Sequence, residues 1–171
     1  MRTFLQVWAG YALLGGNGEQ KLVFHYGQGS NGKSAYTSVL ARILGDYHIT
    51  MSPDSVSGVG QKQGSQHSAD IVRLRGRRYV TVEELPKGSP LREELIKLFT
   101  GGISITARDI FSGVEEFVPK FKADMTGNTM PQIMGTDYGI WRRLLIVPWR
   151  VQIPEDERRP FDQVVNEFFA E

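Results

Sequence analysis

The stretch Gly27-Gln28-Gly29-Ser30-Asn31-Gly32-Lys33-Ser34 decides the fold, because it spells the phosphate-binding loop G-x-x-x-x-G-K-[ST]. Glycines let the backbone curl so that successive N–H groups point at the phosphates of a nucleotide. In such a loop the lysine reaches the terminal phosphates and the last hydroxyl holds Mg²⁺. We therefore predict that the nucleotide is bound by Gly27, Gly29, Ser30, Asn31, Gly32, Lys33 and Ser34.

The residues on either side of the loop have the pattern that the motif requires. Residues 21–26 are typical of a buried strand, and residues 34–44 are typical of a helix that ends before Gly45. A strand, the loop and a helix in this order favour a nucleotide site. The alternative is a glycine-rich turn that contains Gly-Lys-Ser by chance, and it does not account for these neighbours.

Composition indicates a single globular domain of ordinary polarity. The 171 residues are 40% apolar and 23% charged, with a net charge of +1, so contacts to nucleic acid must come from local patches. The absence of cysteine excludes disulfides, thiolate metal sites and a cysteine nucleophile, and it suits a cytoplasmic protein. The sequence has no run of 18 apolar residues, which argues against a membrane span.

Beyond the loop, helices and strands alternate, which favours a parallel sheet with helices on both faces. The pattern predicts helices over residues 1–14, 90–100 and 161–169, and strands over residues 77–82, 121–126 and 143–147. It predicts extended structure with a turn at Ser112-Gly113 over residues 103–118, and a surface loop with at most one short helix over residues 51–70.

Two adjacent carboxylates, Glu83 and Glu84, directly follow the strand predicted at residues 77–82. An ATPase with a phosphate loop needs one acid to orient Mg²⁺ and often a second to polarise the attacking water. The alternative is a solvated pair of charges at the end of a strand. The position of the pair after a phosphate loop favours the catalytic interpretation.

Two further polar sites leave their alternatives open. Asn128 follows a predicted strand, where its amide can hydrogen-bond the attacking water, although Gly127-Asn128 is also good turn chemistry. Arg143, beside Arg142, can stabilise the terminal phosphate held by a neighbouring subunit, or it can belong to an ordinary surface pair.

A segment of cations and aromatic residues precedes the strand predicted at residues 121–126. Its cations are Arg108, Lys120 and Lys122, and they are interleaved with Phe111, Phe117 and Phe121. Such a hairpin suits the backbone and bases of single-stranded DNA. Glu115 and Glu116 in the same segment favour the alternative, a core-packed hairpin with a charged edge.

Taken together, these motifs resemble the helicase domain of phage and plasmid primase–helicases, within the superfamily 3 helicases. The resemblance extends over nearly the whole chain and rests on residues 8–15, 27–34, 44–47, 74–78, 96–102, 107–108, 127–131, 137–144 and 148–149. Within it, Glu84 takes the principal acidic position, Asn128 the sensor position and Arg143 the arginine-finger position.

The resemblance implies an α/β fold of the P-loop NTPase, AAA+-like type. Three layers are expected, with a central five-stranded parallel sheet, helices on both faces and a β-hairpin before the sensor strand. Residues 1–171 then form one ATPase domain, with a helical lead-in at 1–20, a core at 21–150 and a C-terminal helical segment at 151–171 that continues in the family.

The resemblance also implies a function, an ATP-dependent DNA helicase motor of a replication primase–helicase. Lys33, Glu84, Asn128 and a neighbouring subunit's Arg143 are the implied catalytic groups, and Ser34, Glu83 and Glu84 are the implied Mg²⁺ ligands. The hairpin with Arg108, Lys120 and Lys122 follows single-stranded DNA through a homo-hexamer. Duplex DNA and a primase domain are further implied partners, in the cytoplasm of a bacterial host of a phage, prophage or plasmid.

Two other functions are weighed against this one. The chain can be an ATP-switched DNA-binding assembly or loading module that does not unwind processively. A small-molecule kinase is disfavoured, because the sequence has no basic lid segment for a second phosphorylated substrate.

Overall fold

The structure, a computed structural model, describes residues 1–58, 69–109 and 113–170. The strands are β1 (Leu22–Tyr26), β2 (His48–Met51), β3 (Tyr79–Val82), β4 (Ile105–Asp109), β5 (Gly113–Phe117), β6 (Lys122–Gly127) and β7 (Leu144–Pro148). The α-helices are α1 (Arg2–Leu13), α2 (Lys33–Leu44), α3 (Pro53–Val56), α4 (Glu93–Thr100), α5 (Tyr138–Trp141) and α6 (Phe161–Ala170). Short 3₁₀ turns lie at Gly45–Tyr47 and Glu155–Glu157.

The central sheet has five parallel strands in the order β2-β3-β6-β1-β7. Strand β1 lies between β6 and β7, so the loop that leaves β1 has one neighbour on each side. Because all five strands run the same way, their C-terminal ends meet at one edge of the sheet. This edge carries the phosphate loop, and we call it the loop edge.

Both faces of the sheet are covered, as the alternation of strand side chains requires. On one face, Leu22 and Phe24 of β1 pack with α4 and α5 in the main core. On the other face, Val23 packs against Trp8 of α1, while α2 contributes Leu40 to a second cluster around Tyr79. Helix α6 lies outside α2. The predicted three-layer α/β fold is confirmed.

The predicted β-hairpin before the sensor strand is also confirmed. Strands β4 and β5 pair antiparallel, with Ile105 opposite Phe117 and Arg108 opposite Val114. Gly113 of the predicted turn begins β5, while Ser112 and the aromatic residue Phe111 lie outside the described residues.

Three features differ from the sequence-based expectation. Strand β2, at the edge of the sheet, and the short helix α5 were not predicted. Helix α4 begins at Glu93 rather than at Pro90, because the backbone of Pro90-Leu91 is held in isolated bridges to Gln132 and Ser57. In the predicted loop 51–70, the described residues contain the short helix α3 and also helical residues from 69 onward, and residues 59–68 lie outside the described residues.

Candidate nucleotide-binding site

The backbone of the phosphate loop has three residues with positive φ angles. They are Gly27 (φ 151°), Ser30 (φ 59°) and Gly32 (φ 88°). A Cβ atom on Gly27 would collide with the carbonyl oxygen of Trp149 and would lie 2.8 Å from Nδ2 of Asn31. Gly27 is therefore required by the close approach of the chain that leaves β7, as well as by its φ angle.

Lys33 is buried, with 6% of its surface exposed, and it points back into the loop. Its Nζ donates to the carbonyl oxygen of Gly27 and, at 3.1 Å, to Oδ1 of Asn31. Burial lowers the pKa of this ammonium group. A desolvated cation that contacts only neutral oxygens gains from an anion, so the loop fits a phosphate group.

Helix α2 adds a favourable electrostatic field to the loop. It begins at Lys33, runs for 12 residues and has no acidic residue in its first turn. The free N–H groups and the positive end of the helix dipole therefore face the loop without a competing carboxylate. Ser34 lies in this first turn with an exposed side chain, as a hydroxyl ligand of Mg²⁺ needs.

The acidic pair lies at the same edge of the sheet. Glu83 and Glu84 are both exposed directly after β3. Glu84 has a positive φ of 55°, unusual for a non-glycine residue, and its N–H donates to Oγ1 of Thr126 at 3.1 Å. Thr126 thus fixes the strained backbone of the acidic pair to the end of β6. Sequence reasoning missed this role of Thr126.

Asn128 follows the end of β6, which lies beside the start of the phosphate loop. The N–H of Gly27 donates to the carbonyl oxygen of Gly127 at 3.3 Å, and Tyr26 pairs with Gly127 in the sheet. The exposed Asn128 follows directly. The structure therefore brings the loop, the acidic pair and Asn128 together at the loop edge.

The described residues contain no group of three or more His, Cys, Asp or Glu side chains able to hold a metal ion. A Mg²⁺ ion usually takes only one or two protein carboxylates and completes its shell with phosphate oxygens and water. The donor set of Ser34, Glu83 and Glu84 fits that pattern, and it stays a prediction.

On the opposite side of the loop, the chain that leaves β7 is hydrogen-bonded across it. The N–H of Trp149 donates to the carbonyl oxygen of Tyr26 at 2.7 Å, and Nδ2 of Asn31 donates to the carbonyl oxygen of Trp149 at 3.3 Å. Further along, Nε2 of Gln152 donates to the Gly29 carbonyl at 3.2 Å, and the N–H of Ile153 donates to the Ser30 carbonyl at 2.7 Å. We call residues 149–153 the strap.

A buried polar chain connects the strap to the centre of the sheet. Asp124, fully buried, accepts from Nε1 of Trp8 and the hydroxyl of Tyr79, both at 2.6 Å. His25 Nε2 lies 3.2 Å from the Asp124 carboxylate, and His25 Nδ1 accepts from Nε1 of Trp149 at 3.0 Å. Because Nδ1 accepts the indole proton, the proton of a neutral imidazole is on Nε2, which is buried and makes no hydrogen bond of good geometry. Sequence reasoning missed this chain, although an aspartate inside an apolar strand was a visible signal.

Arg143 lies at the opposite edge of the sheet from the loop. It precedes β7, whose first residue Leu144 pairs with Leu22, the first residue of β1. Five residues of strand separate that point from the loop, roughly 16 Å at about 3.3 Å per residue. The guanidinium donates to Oγ1 of Thr100 at 2.9 Å and to the carbonyl oxygen of Gly139, and burial lowers its pKa. Arg143 does not join the phosphate loop of its own chain.

The three cations predicted to bind DNA do not share one surface. Arg108 is exposed on β4, and Lys120 is exposed before β6. Lys122 has no exposed surface, and its Nζ donates to the carbonyl oxygen of Leu14 and lies 4.1 Å from the ring centroid of Tyr11. The prediction that Lys122 binds DNA is wrong, because this residue begins a central strand and holds the end of α1.

No protein-family model matches the chain. Proteins of similar sequence occur in large DNA viruses. The protein named "Putative helicase L207/L206" of Acanthamoeba polyphaga mimivirus is 31% identical over 87% of the chain. "Putative helicase 022R" of Frog virus 3 is 29% identical over 86% of the chain, and "Putative primase C962R" of African swine fever virus is 27% identical over 84%. The chain spans only 15% to 16% of the length of these relatives.

Solved structures of the NrS-1 C-terminal region have the same fold. One of them superposes on 95% of the chain and 37% of its own length, with a TM-score of 0.67 and 12% sequence identity. Another covers 89% of the chain with a TM-score of 0.64. Together with the viral relatives, these structures confirm the resemblance to superfamily 3 helicase domains. In the described parts of the chain, no helix has the length and apolar character needed to cross a membrane.

Proposed function

We propose that this chain, a relative of viral helicases and primases, is the ATPase core of a replication helicase that hydrolyses ATP to move along single-stranded DNA. The observation that carries the proposal is the meeting of three predicted groups at one edge of the sheet. These are the loop with its buried Lys33, the strained Glu84 and the exposed Asn128. Such an arrangement combines phosphate binding with groups able to orient a water molecule.

Each group at the loop edge has a distinct task in hydrolysis. Lys33 neutralises charge on the terminal phosphate, and the N–H groups of the loop and α2 hold the remaining oxygens. Ser34, Glu83 and Glu84 would hold Mg²⁺, which when bound supplies a Lewis acid for the phosphoryl oxygens. Glu84 accepts the proton of the attacking water, while the amide of Asn128 orients that water.

The position of Arg143 supports a site completed by a second subunit. This guanidinium lies at the far edge of the sheet from its own loop, and Thr100 and Gly139 hold it in place. If the loop edge of a neighbouring subunit lies against this region, Arg143 contributes a positive charge to the neighbour's nucleotide site. This charge stabilises the negative charge that develops on the terminal phosphate. A homo-hexamer, a linked primase domain and both single-stranded and duplex DNA are the partners that this proposal includes.

Turnover of ATP by the purified chain tests the proposal directly. We expect the rate per subunit to rise with protein concentration and with single-stranded DNA, because both favour the shared site. Glu84→Gln is expected to bind ATP without hydrolysing it, since the amide cannot accept the proton. Absent ATP binding, or unchanged turnover with Glu84→Gln, contradicts the proposal.

Mixing two inactive variants tests whether Arg143 acts on a neighbouring subunit. Lys33→Ala removes the phosphate lysine, and Arg143→Ala removes the proposed finger. In a mixture, some interfaces pair an intact loop with an intact arginine, so turnover is expected to recover in part. Arg142→Ala is the matched control and is expected to retain turnover. No recovery in the mixture, or loss with Arg142→Ala alone, contradicts the role of Arg143.

One observation favours the second function, an ATP-switched DNA-binding assembly or loading module. Lys122 is buried in the core and is not available to the hairpin, while Glu116 is exposed on β5, so the contact of the hairpin with DNA is weaker than the sequence suggests. Assembly with ATP but no strand displacement, measured with a forked DNA substrate in the full-length protein, supports that alternative.

A further inference from the structure

Four arginines lie close together just before β3, at the edge of the sheet opposite the loop edge. They are Arg73, Arg75, Arg77 and Arg78, and residues 73–78 contain no carboxylate to offset their charge. We call residues 73–78 the arginine turn. The whole chain has a net charge of only +1, so the turn is a local concentration of positive charge. The nucleotide chemistry proposed above gives this turn no role.

Leu74 anchors the arginine turn to the protein. Its side chain is 1% exposed and belongs to the main core, while Arg73 and Arg75 on either side of it are exposed. Gly76 follows with a φ of 75°, which favours glycine. The fold therefore holds charged side chains at the surface on a turn whose backbone is fixed.

Arg77 is oriented by neutral groups of the backbone. It donates through Nη1 to the carbonyl oxygen of Asp46, and through Nε to the carbonyl oxygen of Arg73 at 3.3 Å. Among the described residues, neither Arg73 nor Arg77 forms an ion pair with a carboxylate. A guanidinium group held by carbonyl oxygens keeps its charge for an incoming anion, and its planar fork matches the geometry of a phosphate.

Arg78 adds an aromatic surface beside this charge. Its guanidinium lies 4.2 Å from the ring centroid of Tyr47, and its backbone N–H donates to the carbonyl oxygen of Tyr47 at 2.9 Å. Nη1 of Arg78 also donates to the carbonyl oxygen of Leu13 at 2.9 Å, while Tyr47 is 48% exposed. Unpaired nucleobases stack on aromatic rings and on guanidinium planes, so this pair favours a single-stranded nucleic acid over an acidic peptide.

Two neighbouring elements extend this surface. The N–H of Lys122 donates to the carbonyl oxygen of Arg78 at 2.9 Å, so the exposed Lys120, two residues earlier, lies at the same edge of the sheet. Arg75 forms an ion pair at 2.9 Å with Glu115 of the hairpin. The arginine turn therefore lies between the hairpin and the edge that carries Lys120.

We propose that the arginine turn and the exposed ring of Tyr47 form a binding site for single-stranded DNA. Arg73 and Arg77 contact backbone phosphates, and the pair of Arg78 and Tyr47 stacks on a base. The proposal rests on the proposed function, because it takes the ligand to be the strand on which the motor moves. It adds a contact with that strand at the edge of the sheet opposite the nucleotide site.

Fluorescence anisotropy of a labelled oligothymidine, titrated with the full chain over a range of salt concentrations, tests the phosphate contacts. The double variant Arg73→Gln/Arg77→Gln should bind roughly tenfold more weakly, because it loses two charge contacts. The salt dependence should also become less steep. The slope of the logarithm of the association constant against that of salt should fall by about 1.4, since each phosphate of a single strand contributes about 0.7.

The matched control removes the same charge from another part of the surface. Arg158 and Arg159 are both exposed, and Arg158 also donates to a backbone carbonyl, that of Ile153 at 3.0 Å. We expect Arg158→Gln/Arg159→Gln to keep the wild-type Kd and the wild-type slope. An equal change in this control shows that only the net charge matters, and it overturns the assigned site.

An abasic strand of the same length tests the stacking contact. This strand keeps the phosphates but has no bases, so the ratio of its Kd to that of oligothymidine measures stacking alone. Tyr47→Leu should lower this ratio roughly fivefold or more, because it loses the surface for one base. The double arginine variant should keep the wild-type ratio. Tyr138→Leu, at a tyrosine that is 80% exposed on α5, is the control and should also keep it.

The outcomes separate the two proposals. If the wild-type chain does not bind oligothymidine, the proposed motor on DNA fails and this inference fails with it. If the wild-type chain binds, but the double arginine variant keeps its Kd and slope or Tyr47→Leu keeps its ratio, the site at the arginine turn is overturned and the proposed function stands. Weaker binding with a smaller slope in the first variant, and a lower ratio in the second, support the proposal.

Discussion

Two buried lysines at opposite edges of the same sheet show how similar chemistry serves different ends. Lys33 at the loop edge and Lys122 at the other edge each donate to a backbone carbonyl oxygen, and burial lowers the pKa of each. Lys33 shares its loop with positive-φ residues and the start of α2. Lys122 is enclosed between the end of α1 and the ring of Tyr11.

The difference lies in what else surrounds each ammonium group. Around Lys33, backbone N–H donors converge with the cation, so the surroundings favour an incoming anion. Around Lys122, the carbonyl of Leu14 and the ring of Tyr11 lie against the ammonium group, and the side chain has no exposed surface for an anion to reach. We therefore expect the first lysine to determine ligand binding and the second to determine stability.

The largest expected effect is that of Lys33→Ala on ATP binding and turnover. Removing the cation that meets the terminal phosphates should lower turnover by roughly 100-fold or more. The free energy of unfolding should change little or increase, because a desolvated charge is removed. ATP titration and urea unfolding of the same sample test both parts, with the exposed Lys120→Ala as the control. A large loss of stability contradicts the comparison.

Lys122→Met should show the opposite pattern, with a loss of stability and little change in ATP binding. The methionine keeps most of the apolar stem but removes the donor to the carbonyl oxygen of Leu14, so the free energy of unfolding should fall by about 1 kcal/mol. ATP affinity should stay within about twofold of the wild-type value after correction for the unfolded fraction. Lys120→Met, two residues away and exposed, is the control in urea unfolding. If fully folded Lys122→Met binds ATP more weakly than the wild-type chain, Lys122 also contributes to ligand binding and the contrast with Lys33 is wrong.

A smaller effect is expected from Thr126→Val at the loop edge. Val retains the volume of Thr but cannot accept the N–H of Glu84, which frees the strained backbone of the acidic pair. Turnover should fall about fivefold with little change in ATP affinity, equivalent to about 1 kcal/mol. Thr50→Val, which removes a hydroxyl contact to Thr81 on the edge strand, is the control. An equal loss of turnover in both variants indicates a general effect of the sheet.

The last prediction concerns the pH dependence of stability that Lys122 contributes. Burial, with a smaller contribution from Arg78, lowers its pKa from 10.5 to about 8. Between these values the unfolded chain holds a proton that the folded chain has released, so this residue makes stability rise with pH from about 8 to about 10.5. The free energy of unfolding, measured with urea, should therefore rise with pH in the wild-type chain relative to Lys122→Met across that range. If the difference between the two free energies of unfolding is the same at every pH, Lys122 does not titrate in this range.

The local elements of the site were predictable from the sequence. The phosphate loop, strand β1 and helix α2 are specified within about 25 residues by a spaced motif and by regular apolar patterns. The pair Glu83-Glu84 follows a strand with continuous apolar character, so its place at the loop edge followed from the parallel sheet. Strand β2 was missed because four residues at the edge of a sheet give too short a pattern.

The errors and omissions concern contacts between distant parts of the chain. The sequence pattern assigns Lys122 to the DNA-binding hairpin segment, because nothing near it in sequence shows that its strand lies between β3 and β1. The bond from Trp149 to His25 likewise depends on the pairing of β7 with β1. Such contacts are set by the order of strands in the sheet, which local periodicity does not contain.

The strand order also determines when the loop edge can form during synthesis and folding. Strand β1 pairs only with β6 and β7 in the described sheet, and the register joins Val23 to Asp124 and Leu22 to Leu144. Both neighbours thus leave the ribosome about one hundred residues after the loop itself. Closing such long loops is slow, and an incomplete chain has neither the carbonyl of Gly127 nor the backbone of Trp149 beside Gly27. We therefore expect that an N-terminal fragment containing the complete phosphate motif does not bind nucleotide.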